Sequence, residues 1–391
     1  MPGSVLFKAF SKINDPRVQG RSKYKLIDVL VMVLCGTICG CDTLVEIEEY
    51  AKSKIDWFKL FLGLEDGIPS HDTLGRILAI LQPEEMQLAF QEWADALKTT
   101  LYLEEDIINI DGKYLYSSKG ATKVGKSGRR TFFGMVNAYS SLAGIAIAQL
   151  RTDYAKKSEI DATRELIRRL DLTHSTVTLD AASSQPETTE EIKNQGGDYL
   201  IALKKNQRNL FRQIEKIMTV NPTKNNSFDL AEKGHGREEH RLCIRKNLSK
   251  KFLEELDKYY AKRKRPTWKG LKTAIKIAST RVINGKAATQ TRYYLSSLDV
   301  SAERFQTLVR SHWSIENKLH YVLDVTFDED RSRIRKKGAG ENMAVLRQTA
   351  LNLLSRCEIP KKSMKTKRLI CGWNEKFLMQ VLLGVNIQAS I

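Results

Sequence analysis

The stretch Phe305 to Lys337 places Phe305, Leu308, Val309, Ile315, Leu319, Val322 and Leu323 three, four and seven residues apart, with no Gly or Pro before Gly338. That spacing predicts a long amphipathic helix. On such a helix His312, Trp313, Leu319, His320 and Leu323 share a face with Glu316. A carboxylate in that company is expected to be paired, protonated or holding a cation. The plain alternative is a hydrogen-bond network inside a packed helix.

Two further carboxylates stand where the period of the chain changes. Asp106-Ile107-Ile108-Asn109-Ile110 reads as a short apolar strand ending at Asp111, and Ser175 to Leu179 as a strand ending at Asp180. An Asp at a strand end is often just a turn-former or cap. Two Asp residues and a Glu, from two strands and a helix, would suit two divalent cations such as Mg²⁺ or Mn²⁺. Two such ions can activate an attacking water or hydroxyl and stabilise the leaving oxygen in phosphoryl transfer. The intervals are 69 residues (111 to 180) and 136 residues (180 to 316), too wide for a local motif. Rival carboxylates come after Glu316. Asp324 is turned roughly 80° from it on a helix, and Glu329 and Asp330 sit beside Arg331 and Arg333, where salt bridging is the simple account.

The charge of the chain is localised. Residues 201–290 hold 23 Lys and Arg against 8 Asp and Glu, which is +15 of the total +18. Such a block points to a polyanion, most often nucleic acid, the alternative being a lysine-rich soluble surface. With 391 residues, 28% charged and 42% hydrophobic, the chain can bury a full core and is expected to hold two or three domains. No signal-peptide pattern is present, and the apolar run Leu26 to Cys41 reads as a buried helix, not a membrane span. Cys35, Cys39, Cys41, Cys243, Cys357 and Cys371 form no CxxC pair and read as reduced thiols of a cytoplasmic protein, three of them in that helix.

The elements that must position these residues are read from periodicity. Residues 1–100 are helical, with a turn at Asp15-Pro16-Arg17 and a helix to Leu81 capped by Ser70 or Asp72; Arg76 on it is either a phosphate contact or a solvated arginine. Residues 101–210 alternate: strands near 106–111, two within Thr131 to Leu150, Ser175 to Leu179 and Asp198 to Leu203, with helices Glu159 to Leu170 and Gln185 to Asn194. This predicts a mixed α/β sheet with its active residues at strand ends. Residues 211–295 read as a basic β-rich insertion, with strands at Arg241 to Arg245, Ile275 to Val282 and Arg292 to Leu295. Trp268, beside Lys and Arg, could stack on a base or pack beneath the insertion. Residues 296–391 hold the Glu316 helix, a helix Glu341 to Leu354, and a basic segment Lys361 to Arg368 that offers another phosphate contact.

The pieces IleAspGlyLys (110–113), LeuAspAla (179–181) with Gln185, GlyGlyAspTyrLeuIleAlaLeuLys (196–204) with AsnGln (206–207), and HisTrpSerIleGluAsnLysLeuHisTyrValLeuAspVal (312–325) together resemble the ISAs-group, or H-repeat-associated, insertion-sequence transposases of the DDE class. AspProArg (15–17) and GlyIleProSerHisAspThr (67–73) resemble the domain that precedes the family's core. The likeness runs in order over nearly the whole chain. It implies an RNase H-like mixed-sheet core with a β-rich insertion and a helical N-terminal domain. It also implies Asp111, Asp180 and Glu316 as ligands of two Mg²⁺ ions, with Mn²⁺ able to substitute. The implied activity is a bacterial, cytoplasmic transposase that binds element ends as a homodimer, cuts them and joins them to target DNA. Candidate DNA contacts are Lys113, Lys204, Lys205, Arg237, Lys264, Arg265, Trp268, Arg310, His312, Lys318 and His320. Some members of the wider group carry Tyr, Arg, Glu and Lys around the catalytic Glu; here the Tyr, Arg and Lys places hold Val309, His312 and Leu323. A DNA-binding protein without catalysis, or an RNase H-like nuclease without strand transfer, are the other readings.

Overall fold

Two of the N-terminal helices begin where a side chain takes up an N–H group that the first turn leaves unpaired. The computed structural model describes residues 5–18, 20, 22–114, 133–153, 158–234, 237–283, 286–334, 338–357, 359 and 362–384. Helices α1 (Val5–Phe10), α2 (Leu26–Ile38), α3 (Leu44–Ser53), α4 (Ile55–Lys59), α5 (His71–Ile80) and α6 (Pro83–Thr99) succeed one another. Thr43 and Glu46 close a capping box at α3, and the Ser70 hydroxyl accepts from the Thr73 N–H at α5. Gly36 lets α2 approach α3, since a β-carbon there would lie 3.0 Å from Ile47 Cγ1. The apolar run Leu26 to Cys41 is helical only to Ile38, so Cys35 alone of its three cysteines lies in the helix. All six thiols are unpaired.

The alternating region continues as β1 (Asp106–Tyr114), β2 (Phe133–Ser140), β3 (Ile145–Asp153), α7 (Glu159–Arg168), β4 (Ser175–Leu179), α8 (Pro186–Asn194) and β5 (Asp198–Leu203). Next come α9 (Arg208–Ile217), β6 (Ser227–Gly234), β7 (Arg237–Asn247), α10 (Lys250–Ala261), β8 (Thr273–Ile283) and β9 (Lys286–Ser296). The insertion therefore holds four strands where three are legible, and two helices besides. The chain continues through α11 (Ala302–Ser314), a π-turn (Ile315–His320), α12 (Tyr321–Val325), a 3₁₀ turn (Glu329–Arg331), α13 (Ala339–Arg356), α14 (Met364–Trp373) and α15 (Glu375–Leu383). The single helix expected from Phe305 to Lys337 is thus broken into several pieces. None of the described helices is long and apolar enough to cross a membrane.

Two compact bodies interleave along the sequence. The first comprises Met1–Leu103, Gly112–Ser158 and Glu316–Ile391. Its centre is α13, buried along nearly its whole length and packed on α2, α5, α6 and β3. Asn342 Nδ2 donates to the carbonyls of Leu78 and Leu81, closing the end of α5, and the Asn352 amide pairs with both backbone groups of Ala146 on β3. Strands β2 and β3 are antiparallel, with a bulge between Ala138 and Tyr139.

The second body comprises Glu104–Asp111 and Glu159–Ile315. Its strands lie in the order β1-β4-β5-β9-β8-β7-β6. Strands β1, β4 and β5 are parallel, because helices α7 and α8 supply the crossovers that parallel pairs need; β9 joins β5 antiparallel, and the pairs β9–β8, β8–β7 and β7–β6 are antiparallel too, with α10 in the connection from β7 to β8. Phe305, Leu308 and Val309 of α11 press into a core with Ile107, Leu200, Ile275 and Tyr294. The mixed α/β class expected from the sequence is borne out.

Candidate active site

Parallel pairing of β1 with β4 runs in register up to Ile110 opposite Leu179. Next along these neighbouring strands, roughly 5 Å apart, come Asp111, still inside β1, and Asp180, the residue after β4; β1 runs on to Tyr114 and does not end at Asp111 as expected. Both carboxylates are half-buried. By the two-residue alternation of a strand they lie on the face of Asn109 and Thr178, and α11 covers that face. Asn109 Nδ2 donates to the Ser311 carbonyl at 2.9 Å, and the Thr178 hydroxyl donates to Asn109 Oδ1 at 2.7 Å. His312 Nδ1 lies 2.9 Å from the same hydroxyl oxygen. Because Thr178 gives its one proton to Asn109, His312 must donate from Nδ1. Burial drives the His312 pKa down to about 4, the Asp180 charge pulls the other way, and Lys204 adds to the lowering. His312 is therefore a neutral strut between helix and sheet. This corrects its assignment as a phosphate contact.

Asp180 also does what an ordinary turn-former does. Its Oδ1 accepts the N–H groups of Ala182 (2.9 Å) and Ser183 (3.2 Å), and its carbonyl accepts from the Ser184 hydroxyl at 2.6 Å. The loop after it is pinned from the far end of β5, where Asn206 Nδ2 donates to the Ala181 carbonyl at 2.7 Å and Gln207 Nε2 to the Ser184 carbonyl at 3.5 Å. The AsnGln pair of the sequence thus fixes the Asp180 loop, a role that spacing alone did not suggest. Lys204 and Lys205, just before it, are exposed.

Glu316 lies in the π-turn and is exposed, as are Asn317 and Lys318, while Leu319, His320 and Leu323 are buried. The expectation of a carboxylate enclosed by two histidines and two leucines is corrected. A π-turn widens the helix and shifts the register of the residues beyond it, so the 3.6-residue face drawn through Glu316 does not persist. His320 Nε2 sits 3.2 Å from Asn137 Nδ2, and Asn137 Oδ1 accepts from Gln348 Nε2 at 2.5 Å. His320 is a core group, not a DNA contact. Trp313 is exposed, with the Arg292 guanidinium 5.5 Å above its ring.

Two of the rival carboxylates, Asp324 and Glu329, are already engaged, Glu329 with partners other than the neighbouring arginines expected. Lys113 Nζ is buried between Asp324 and Glu329 Oε2 (2.6 Å), and Arg347 Nη1 lies 4.0 Å from Glu329 Oε1. Burial raises the Asp324 pKa to about 6 although Lys113 opposes it. Lys113 is thus withdrawn from DNA by its own ion pairs. Among the described residues, no three His, Cys, Asp or Glu side chains are grouped closely enough to hold a metal ion.

Several other candidate contacts are also corrected. Trp268 is 3% exposed and donates from Nε1 to the Tyr260 hydroxyl at 3.0 Å, so it packs beneath the insertion instead of stacking on a base. Arg310 is paired with Glu232 at 2.9 Å. Arg265 is half exposed, 3.7 Å from Glu187, and Lys264 is exposed in the left-handed region at φ +53°. The Arg237 side chain lies outside the described residues. In the basic tail, Arg368 is buried and donates to the Thr37 carbonyl and Asp42, while Lys367 donates to the carbonyls of Leu354 and Cys357. Both serve the fold.

Residues 102–353 match the family described as Transposase DDE domain, and residues 7–94 match its companion, DDE_Tnp_1-associated. YhhI of Escherichia coli strain K12, by name an inferred H repeat-associated transposase, is 33% identical over 386 residues, covering 97% of this chain and 98% of its own. The inferred transposase YncI of Escherichia coli O157:H7 is 35% identical over 384 residues, covering 96% and 94%. A piggyBac transposase solved as a synaptic complex with hairpin DNA aligns over 98% of this chain and 82% of its own, with a TM-score of 0.42 and 10% identity.

Proposed function

Given that the chain belongs to the DDE transposase family, we propose that it binds the ends of an insertion sequence, cuts them and joins the freed 3′ ends to target DNA. In this reading Asp111, Asp180 and Glu316 are the ligands of two Mg²⁺ ions, and the protein works as a homodimer in the bacterial cytoplasm. The observation that supports it is the parallel register of β1 and β4, whose last pair, Ile110 and Leu179, is followed directly by Asp111 and Asp180. Hard carboxylate oxygens fit Mg²⁺ or Mn²⁺ by donor chemistry. Asp180 Oδ2 stands outside the turn that occupies Oδ1. Glu316 enters as the third ligand on the family's pattern, and its exposure leaves it accessible to a substrate. The ions, when bound, would lower the pKa of an attacking water and stabilise the leaving oxygen. The protein's own share is positional. Asn109 and Thr178 tie α11 to the two strands, and neutral His312 adds no positive charge beside Asp180.

The test is cleavage and strand transfer on labelled DNA carrying the element's own ends, with Mg²⁺ or Mn²⁺, comparing the wild type with Asp180→Asn and Glu316→Gln. Metal-dependent joined products from the wild type alone are expected. Cutting without joining would replace the proposal with a nuclease. Salt-sensitive binding without cutting by any of the proteins would replace it with a DNA-binding role.

A further inference from the structure

The positive charge of residues 201–290 divides into two populations. Along β6 to β8 several of the cations are answered locally: Arg241 pairs with Glu232 and Glu239, Arg281 with Glu239, and Lys233 with Glu238. Around α9 they are not. Lys205, Arg208 and Arg212 recur at three- and four-residue spacing along one exposed stripe, and among the described residues none has an ion-pair partner within 4 Å. The opposite face of the helix is anchored through Leu210 and Ile214, both buried.

Two concave clefts flank this stripe. One, of about 450 Å³, is lined by Lys205, Arg208 and Arg212, with Phe211 at its wall and Glu215 as its one acid. The other, of about 350 Å³, runs between α9 and the end of α10 and is lined by Arg208, Asn209, Tyr259, Arg263 and Arg265. Its walls are organised in advance. The Arg263 guanidinium stacks 3.7 Å over the Tyr259 ring, and the Tyr259 hydroxyl accepts from Asn209 Nδ2 at 2.9 Å. Arg208 serves both clefts. A stacked or unpaired guanidinium facing an open cleft is suited to a phosphate oxygen.

We propose that this α9–α10 surface is the groove that grips the phosphate backbone of duplex DNA. The inference rests on the proposed DNA substrate and moves the grip away from the β6–β8 hairpins. Its logic is electrostatic: a cation already neutralised by a neighbour releases little counterion when DNA arrives, whereas an unpaired one releases its full share.

The test is the salt dependence of duplex binding by the full chain, measured by fluorescence anisotropy. Each phosphate contact contributes about 0.9 to the slope of log affinity against log salt. The double variant Arg208→Gln/Arg212→Gln should therefore lose about 1.8 from the slope. Between 50 and 200 mM salt this is a roughly 12-fold smaller change in affinity than in the wild type. Lys233→Gln, removing a cation held by Glu238, should leave the slope as it is. Unchanged thermal unfolding of the double variant would show that the fold is intact. An unchanged slope in the α9 variant, an equal fall in Lys233→Gln, or a loss confined to single-stranded DNA would each overturn the assignment. A wild type that shows no salt-dependent binding at all would instead remove the DNA substrate itself.

Discussion

Lys113 offers the sharpest test of how the core is held, because its sequence context points to DNA and its side chain lies in a buried ion cluster. That side chain is 8% exposed, that of Glu329 4% and that of Asp324 29%. Lys113→Met keeps the length and apolar stem of the side chain but removes the charge between two carboxylates. Breaking a buried pair by deleting one partner costs about 3–5 kcal/mol, since the remaining charge is left desolvated. Arg347 still lies 4.0 Å from Glu329, so the lower end, about 3 kcal/mol, is expected at neutral pH.

The pH dependence fixes the mechanism. The Asp324 pKa is about 6 in the fold against 3.8 for a free side chain. Its contribution is therefore fully present below the unfolded value and is lost as pH rises through the folded one. Without Lys113 that folded pKa must rise further, because the lysine is what lowers it. The penalty of Lys113→Met should then shrink when urea unfolding is repeated at about pH 5 in place of pH 7, as the carboxylates take up protons. Adding Glu329→Gln should recover part of the loss. A penalty under about 1 kcal/mol at pH 7, or one equal at both pH values, would refute the buried-cluster account. A stable variant whose DNA-binding salt slope fell by about 0.9 would return Lys113 to the phosphate backbone.

The same contacts carry other expectations. Glu48 is held near pKa 2 by Lys52 and by the backbone and ring of His71. Its stabilisation should thus be present above about pH 4.5 and lost as pH falls towards 2, and Glu48→Gln should flatten that acid limb in thermal melts. Trp268→Ala should cost about 3–5 kcal/mol in unfolding while leaving the salt slope of DNA binding unchanged; a fallen slope with intact stability would contradict its burial. Thr178→Val keeps the shape but removes the hydroxyl that donates to Asn109 Oδ1 and faces the His312 Nδ1–H, at about 1–3 kcal/mol for a group left unsatisfied. The proposed strand-transfer rate should fall in this variant with little change in DNA affinity, and equal losses in both would refute a positioning role.

Local period is the part of this fold that the chain makes legible. The runs Ser175 to Leu179 and Asp198 to Leu203 are readable as strands because parallel strands covered by helices are apolar almost throughout, and the Asp at the end of the first falls where the sheet stops. Asn109 and Thr178 give no such signal, since one polar residue in an apolar strand is ambiguous until its register partner is known. The insertion misleads for a related reason. Helices α9 and α10 do carry apolar residues at helical spacing, Leu210, Ile214 and Ile217 in one and Leu253, Leu256 and Tyr260 in the other, a period that is passed over when the segment is read by its charge.

The largest departures come from pairings between residues far apart in sequence. Lys113 meets Asp324 and Glu329 across more than two hundred residues, and no window of sequence reveals that a lysine two positions after Asp111 is buried. The π-turn at Ile315–His320 has the same character, because one register slip leaves composition untouched while turning Glu316 outward and His320 inward. Counting cations locates a basic region correctly but cannot say which of them are already answered. Arg241, Arg281 and Arg310 spend their charge on Glu232 and Glu239, whereas Arg208 and Arg212 do not. The electrostatic footprint that the proposed grip would use is therefore set by cations without an acidic neighbour, and Arg208 and Arg212 on α9 are two of them.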